Sequence, residues 1–126
     1  MRTAVQQLGD AAEDAVVARL ESAGWTILGR QIRVGRAELD VIAIDPGPPR
    51  QLVVVEVRWR RRRDFGFAEE TVDHRKRSRI RGAAFRWLDL NRPVAASLMV
   101  RFDLVVVEPG EATGSEPRIR HHRAAF

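Results

Sequence analysis

Two runs of branched apolar residues decide the fold of this chain: Glu38-Leu39-Asp40-Val41-Ile42-Ala43-Ile44 and Leu52-Val53-Val54-Val55-Glu56-Val57-Arg58. Each run is typical of a buried β-strand, yet each carries acids where a buried strand should carry none. Side chains alternate along a strand, so Glu56 and Arg58 are expected on one face, about 6.6 Å apart. Glu38 and Asp40 are expected to share a face in the same way. Ionised groups in such strands are costly unless a partner or a metal compensates them. An acidic pair beside a Glu-x-basic pair on adjacent strands is the arrangement that a divalent-metal phosphodiesterase site requires.

The length and composition indicate a single soluble domain over residues 1–126. The chain has a mass of 14.3 kDa and a hydrophobic fraction of 44%, which suffice for one core. No apolar run approaches the roughly 20 residues that a membrane span needs, and the N-terminus lacks the apolar segment of a signal peptide. The absence of cysteine excludes disulfides, thiolate zinc sites and cysteine nucleophiles. We therefore expect a cytoplasmic protein with no membrane partner.

The charge balance favours an anionic partner. The formal net charge is +5 and the sequence pI is near 11.2, values that are typical of nucleic-acid-binding proteins. Lys76 is the only Lys among the 22 basic residues. The planar guanidinium of Arg suits bidentate recognition of phosphate, although a bias in the coding sequence is an alternative source of the arginine excess. The pattern predicts an anionic partner such as nucleic acid.

Hydrophobic periodicity predicts the element order αβββαβ. An amphipathic helix is expected at 4–23 and a second at 69–90. Strands are expected at 25–34, 37–44, 51–59 and 98–107, followed by an edge strand at 119–126. Turn-rich segments separate these elements, above all Asp45-Pro46-Gly47-Pro48-Pro49 and a loop at 60–67. The fold class is therefore α/β, with a mixed central sheet flanked by helices.

Asp40 and Glu56 are the candidate metal ligands. Carboxylate oxygens suit Mg²⁺ or Mn²⁺, hard ions that keep several waters, and such an ion polarises a phosphate and activates a water. The alternative is that one or both strands lie at a sheet edge, with their acids solvated or paired with Arg. Glu38 is interpreted as a structural acid that pairs with an Arg. Glu13 borders the apolar stripe of the first helix, where an ordinary surface carboxylate is the alternative.

Basic residues flank this predicted site. Arg58 and the four residues after Trp59 are predicted to hold the phosphate backbone, with a solvated loop as the alternative. Those four residues are Arg60, Arg61, Arg62 and Arg63. Lys76 and Arg79 on the second helix are predicted phosphate contacts, with a solvated helix face as the alternative. Lys76 is also a candidate for an ammonium group at the site, since position 58 carries a guanidinium instead.

Several of these motifs occur together in one known family. The chain resembles the YraN-like family of small bacterial proteins, within the restriction-endonuclease-like PD-(D/E)xK superfamily, and the resemblance runs almost end to end. The residues that carry it are Gly9 and Glu13, Glu38-Leu39-Asp40, Val55-Glu56-Val57-Arg58, Phe65-Gly66, Lys76 with Ile80, Trp87-Leu88, Arg101-Phe102-Asp103 and the closing Ile119-Arg120-His121-His122-Arg123-Ala124-Ala125-Phe126. The implied fold is similar to that of archaeal Holliday-junction resolvases.

The resemblance implies a Mg²⁺- or Mn²⁺-dependent endonuclease that acts on structured or branched DNA. In this interpretation Asp40 and Glu56 bind the metal, Glu13 is a third acid, and Arg58 stabilises charge on the phosphate. Two residues depart from the family pattern: Ala37 replaces a Gly, and Arg58 replaces a Lys. A guanidinium cannot be deprotonated and is bulkier than an ammonium, so the second change touches the chemistry. A catalytically degenerate nucleic-acid-binding module and a protein-interaction adaptor are therefore the alternatives, and a homodimer is compatible with all three.

Overall fold

The helices and strands of the computed structural model follow the predicted order, with one short helix added. The structure describes residues 1–60, 74–95, 97–110, 112 and 114–126. Its elements are α1 (Ala4–Ser22), β1 (Thr26–Val34), β2 (Ala37–Asp45), β3 (Gln51–Trp59), α2 (His74–Leu90), α3 (Arg92–Ala95), β4 (Met99–Glu108) and β5 (Arg118–His122). The predicted order αβββαβ and the closing strand are confirmed. The predicted first turn of the second helix, at 69–73, lies outside the described residues.

The five strands form one sheet in the order β1-β2-β3-β4-β5. Neighbouring strands are antiparallel except for β3 and β4, which are parallel. A parallel pair needs a crossover connection, and α2 lies in the connection between β3 and β4. The predicted α/β class, with a mixed sheet flanked by helices, is confirmed.

Helix α1 begins at a capping box and ends before a glycine. The Thr3 side chain accepts a hydrogen bond from the Gln6 amide, and the Gln6 side chain accepts one from the Thr3 amide. Gly24, with φ of +89°, takes the left-handed conformation that commonly ends a helix. The N-terminal part of the helix does not contribute to the core, because Val5 is 71% exposed and the buried part of the helix begins at Ala12.

Both faces of the sheet are buried, which explains why β2 and β3 read as nearly continuous apolar runs. The α1 face is packed by Ala12, Val16, Val17, Leu20, Trp25, Val41, Ala43, Val53, Val55, Val105 and Val107. The α2 face is packed by Leu39, Ile42, Leu52, Val54, Ile80, Ala83, Ala84 and Phe102. The central positions of β2 and β3 therefore place their side chains in a buried environment. Of the helices in the described part of the chain, none has both the length and the apolar composition that crossing a membrane takes.

A buried ionic network ties the C-terminal segment to β4. The carboxylate of Asp103 is fully buried and accepts hydrogen bonds from Arg101, from His121 Nε2 at 2.7 Å and from the Ala124 amide at 2.9 Å. Burial raises the pKa of Asp103, but the hydrogen bonds from His121 and Arg101 outweigh it and leave the pKa below its ordinary value. Arg101 also pairs with Asp45 at 2.9 Å. This network is satisfied internally and is structural.

Candidate metal centre

Asp40 and Glu56 lie side by side on adjacent antiparallel strands. The register pairs Val41 of β2 with Val55 of β3, so Asp40 and Glu56 follow at the next position. Their carboxyl groups are in hydrogen-bonding contact. Glu56 is 5% exposed. The structure therefore brings the two predicted metal ligands together, on the α2 side of the sheet.

The backbone of β2 is irregular at Asp40. Leu39 packs on the α2 face and Val41 on the α1 face, although residues two apart in a regular strand share a face. The Asp40 carboxylate accepts a hydrogen bond from the Val57 amide, with 2.8 Å between Oδ2 and N. A side chain thus takes a strand amide that a backbone carbonyl would otherwise take. This bond fixes the direction of the Asp40 carboxyl group relative to β3.

The pKa of Asp40 is raised from 3.8 to about 8. Burial is the largest cause, followed by the negative charge of Glu56, with which Asp40 also shares a hydrogen bond; the Val57 amide acts in the opposite direction. The charge of Glu13 adds a smaller increase. A carboxyl group with a pKa of about 8 keeps its proton at neutral pH, so Asp40 is mostly protonated in the metal-free protein.

Lys76 of α2 reaches the same pair. Its Nζ lies 2.8 Å from Glu56 Oε1. The two carboxyl groups and this ammonium open into a pocket of about 250 Å³. The pocket is lined by Arg36, Ala37, Glu38, Asp40, Glu56, Lys76, Arg79 and Ile80. The predicted phosphate contacts Lys76 and Arg79 are thus both placed on its wall.

Glu13 lies in a different concavity, on the α1 side. It is 5% exposed, so it is not an ordinary surface carboxylate. Its Oε1 accepts a hydrogen bond from Arg30 Nε at 2.9 Å, and its Oε2 lies 3.4 Å from Gln31 Nε2. These three residues line a second pocket of about 290 Å³ together with Arg2, Asp10 and Asp14. The structure does not place Glu13 among the residues that line the Asp40–Glu56 pocket.

The basic residues after β3 are placed unevenly. Arg58 is half-buried and is not among the residues that line the carboxylate pocket. Arg60 is 9% exposed, and its amide donates to the Val107 carbonyl at 2.8 Å. Its side chain is therefore mostly shielded from solvent, and its role as a phosphate contact stays a prediction. The remaining predicted contacts, Arg61–Arg63, lie outside the described residues.

Two features of the site were missed by sequence reasoning. Arg36, in the turn between β1 and β2, lines the carboxylate pocket, and its position just before the Glu38-x-Asp40 motif was an available signal. Arg30 and Gln31 contact Glu13, and nothing in the sequence marks that contact. The expected pairing of Glu38 with an Arg is present only as a loose ion pair, 3.8 Å from Arg33.

Within the described ranges, no group of three or more His, Asp or Glu side chains is arranged to hold a metal. The candidate centre therefore consists of two carboxylates, Asp40 and Glu56. Two carboxylates with water in the remaining positions suit Mg²⁺, which usually binds proteins through one or two carboxylates. The donor set does not suit Zn²⁺ in a structural site, which takes four protein ligands rich in Cys and His.

Comparison with known sequences identifies the family. The sequence model of a family described as uncharacterised protein family UPF0102 matches residues 12–107. A UPF0102 protein of Sorangium cellulosum (strain So ce56) is 43% identical over 110 residues, which are 84% of this chain and 74% of that protein. Another, of Xanthomonas campestris pv. campestris (strain B100), is 40% identical over 126 residues, which are 100% of this chain and 96% of that protein. A third, of Desulforamulus reducens, is 36% identical over 119 residues, 94% of each chain. The chain therefore belongs to the UPF0102 family, the family that its YraN-like motifs indicated.

Proposed function

We propose that this protein is a Mg²⁺- or Mn²⁺-dependent phosphodiesterase that cleaves structured or branched DNA, and that it belongs to the restriction-endonuclease-like superfamily. The observation that carries this proposal is the contact between the Asp40 and Glu56 carboxyl groups in the pocket, with Lys76 2.8 Å from Glu56. Two neighbouring carboxylates at the floor of a cation-lined pocket are the parts that metal-assisted phosphoryl chemistry uses.

The two carboxyl groups fit a divalent cation. They are hard oxygen donors on adjacent strands, and their mutual repulsion is relieved in the metal-free protein by a proton on Asp40. A cation with two charges offsets both carboxylates, so its binding would displace that proton. When bound, the ion would supply charge for the phosphate oxygens and a more acidic water.

The side chains around the pair supply the rest of the chemistry. The Lys76 ammonium lies against Glu56 at the pocket, where its positive charge would attract a phosphate oxygen. Arg36 and Arg79 line the same pocket and would hold the flanking phosphates, because a guanidinium binds two phosphate oxygens at once. In this arrangement the ammonium comes from a helix, and Arg58 on the strand is a neighbouring positive charge.

The test is cleavage of labelled four-way junction, flap, linear duplex and RNA substrates with Mg²⁺ or Mn²⁺. Wild type is expected to cleave a branched DNA only with metal, and Asp40→Asn is expected to abolish cleavage because it removes a proposed ligand. Asp89→Asn is the matched control, since Asp89 is exposed on α2 and pairs only loosely with Arg92 at 3.5 Å. This control should cleave at the wild-type rate.

The same protein and substrates distinguish the alternative functions. If wild type binds these nucleic acids in a salt-dependent way but cleaves none, the protein is a binding module of the same fold. If it neither binds nor cleaves these nucleic acids at low salt, the proposal fails, and an adaptor that binds another protein is the remaining interpretation. Metal-free cleavage, or cleavage that survives in Asp40→Asn, would contradict the assignment of the site.

A further inference from the structure

One residue of β1 has a left-handed backbone: Gln31, with φ of +48°. This conformation is uncommon for residues other than Gly, and in the middle of a strand it removes the residue from the ladder. The register pairs Arg30 with Val41 and Ile32 with Leu39. Gln31 therefore lies opposite Asp40, and the ladder skips this one position between two regular pairs.

The irregularities of β1 and β2 coincide at this position. On β1, the consecutive residues Arg30 and Gln31 both contact Glu13 on the α1 side. On β2, Asp40 turns its carboxyl group into the pocket on the α2 side and accepts the Val57 amide at 2.8 Å. Without regular pairing to Gln31, the backbone of Asp40 is free to depart from the strand geometry that its neighbours keep.

Glu13 is the anchor for this irregularity. It is 5% exposed, and both of its carboxylate oxygens face donors: Arg30 at 2.9 Å and Gln31 at 3.4 Å. Asp14 holds the other end of the same guanidinium at 2.6 Å. The oxygens of Glu13 are thus engaged by the chain's own donors, in a pocket separate from that of Asp40 and Glu56.

We infer that Gln31 is a positioning residue for the Asp40 carboxyl group, and that Glu13 acts through Arg30 and Gln31 and not as a third metal ligand. Glu13 holds the Gln31 side chain on the α1 face, the left-handed backbone of Gln31 breaks the ladder, and the break lets Asp40 reach both Val57 and Glu56. Only the metal-binding role of the Asp40 carboxyl group rests on the proposed function; the positioning of that group by Gln31 does not.

The first experiment measures hydrogen exchange of the Val57 amide by NMR in the metal-free, full-length protein. Gln31→Val places a β-branched residue where the backbone is left-handed, so the Asp40–Val57 bond should weaken and the amide should exchange roughly tenfold faster. Gln31→Gly is the matched control, because it loses the same side-chain amide group but accepts the same φ. In this variant the Val57 amide should exchange at the wild-type rate. The Val54 amide reports whether the sheet itself is intact and should not change. If Gln31→Val does not fold, Gln31→Ala applies the same backbone strain in a milder form.

The second experiment measures Mn²⁺ affinity by calorimetry in the same proteins. Gln31→Val should weaken Mn²⁺ binding roughly tenfold, as removal of a residue that orients a ligand usually does, while Gln31→Gly and Glu13→Gln should stay within about threefold of wild type. Unchanged Val57 exchange in Gln31→Val would overturn the positioning role. Loss of Mn²⁺ binding in Glu13→Gln, as complete as in Asp40→Asn, would make Glu13 a ligand and overturn the second half of the inference. If wild type binds no Mn²⁺, the proposed function fails, and the Val57 measurement still decides the role of Gln31.

Discussion

Replacing Asp40 with Asn is expected to stabilise the metal-free protein, although it removes one of the two proposed metal ligands. In wild type the folded state forces Asp40 to carry a proton at neutral pH, because burial and the charge of Glu56 raise its pKa to about 8. The Asn side chain has no charge to suppress. Its oxygen can still accept the Val57 amide, and its own amide group can donate to Glu56.

The sign and size follow from the two pKa values. A carboxyl group whose pKa is raised on folding favours the folded state below its ordinary pKa of 3.8, and that advantage is lost as the pH rises toward about 8. At pH 7, about three pH units above the ordinary pKa, Asp40 still holds its proton in the folded state. At about 1.4 kcal/mol per unit, this lowers the free energy of unfolding by at most about 4 kcal/mol relative to a side chain that does not titrate. Because Asn differs from a protonated carboxyl group in its hydrogen bonds, we expect Asp40→Asn to gain about half of this limit, about 2 kcal/mol.

The assay is urea unfolding of both proteins in EDTA at pH 5, 7 and 9. The gap in the free energy of unfolding should widen from pH 5 to about 8 and then stay constant. Asp103→Asn is the control with the opposite sign, because the pKa of Asp103 lies below its ordinary value and its ionised form stabilises the fold. That variant should be destabilised at neutral pH. An Asp40→Asn protein that is no more stable than wild type at pH 7 and 9 would refute the account of the carboxyl pair.

Four further predictions concern the pocket and the neighbouring Arg58. Mn²⁺ affinity should rise with pH up to about 8, by roughly tenfold per unit, because one proton must leave Asp40; calorimetry in buffers of different ionisation enthalpy should detect that proton, and a pH-independent affinity would contradict its role. Lys76→Met should lower the cleavage rate about a hundredfold with little change in DNA affinity, and an unchanged single-turnover rate would exclude Lys76 from the chemistry. Arg58→Lys should raise the single-turnover rate of cleavage. Arg79→Ala should weaken binding to all DNA sequences alike and reduce the log–log salt slope by about 0.9, as measured by fluorescence anisotropy; an unchanged slope would remove Arg79 from the phosphate contacts.

The strands and their order could be predicted from the sequence because their signal is local. The runs 37–44 and 51–59 are apolar and β-branched, and a strand buried on both faces needs that composition wherever it lies in the sheet. The proximity of Asp40 to Glu56 also follows from local information, since a short turn between two strands makes them antiparallel neighbours. The sequence alone therefore predicts the general position of the candidate site.

The details of the site were not accessible, because they depend on contacts between distant elements. Side-chain alternation predicts a regular strand at Asp40, and the break there arises from the left-handed backbone of Gln31 on the neighbouring strand. The helical pattern marks Glu13 as a residue at the border of the apolar stripe, but its burial against Arg30 depends on how α1 packs over β1. The position of Arg60 shows the same limit, since a basic run predicts exposure and the first of its residues is nearly buried.

A free-energy cost is built into the pocket of the metal-free protein. A buried carboxyl group in contact with a partly buried one is unfavourable, and the fold tolerates the pair because Asp40 holds a proton and Lys76 lies 2.8 Å from Glu56. The structural network of Asp45 and Asp103 differs, because its two carboxylates are satisfied by donors from Arg101, His121 and the Ala124 amide. The excess acid is therefore an argument for a ligand with two positive charges, because binding such an ion relieves the repulsion that the proton only suppresses. Under the proposed function, metal affinity and the instability of the metal-free protein have the same origin, so a substitution that raises the metal affinity should lower the stability of the metal-free protein.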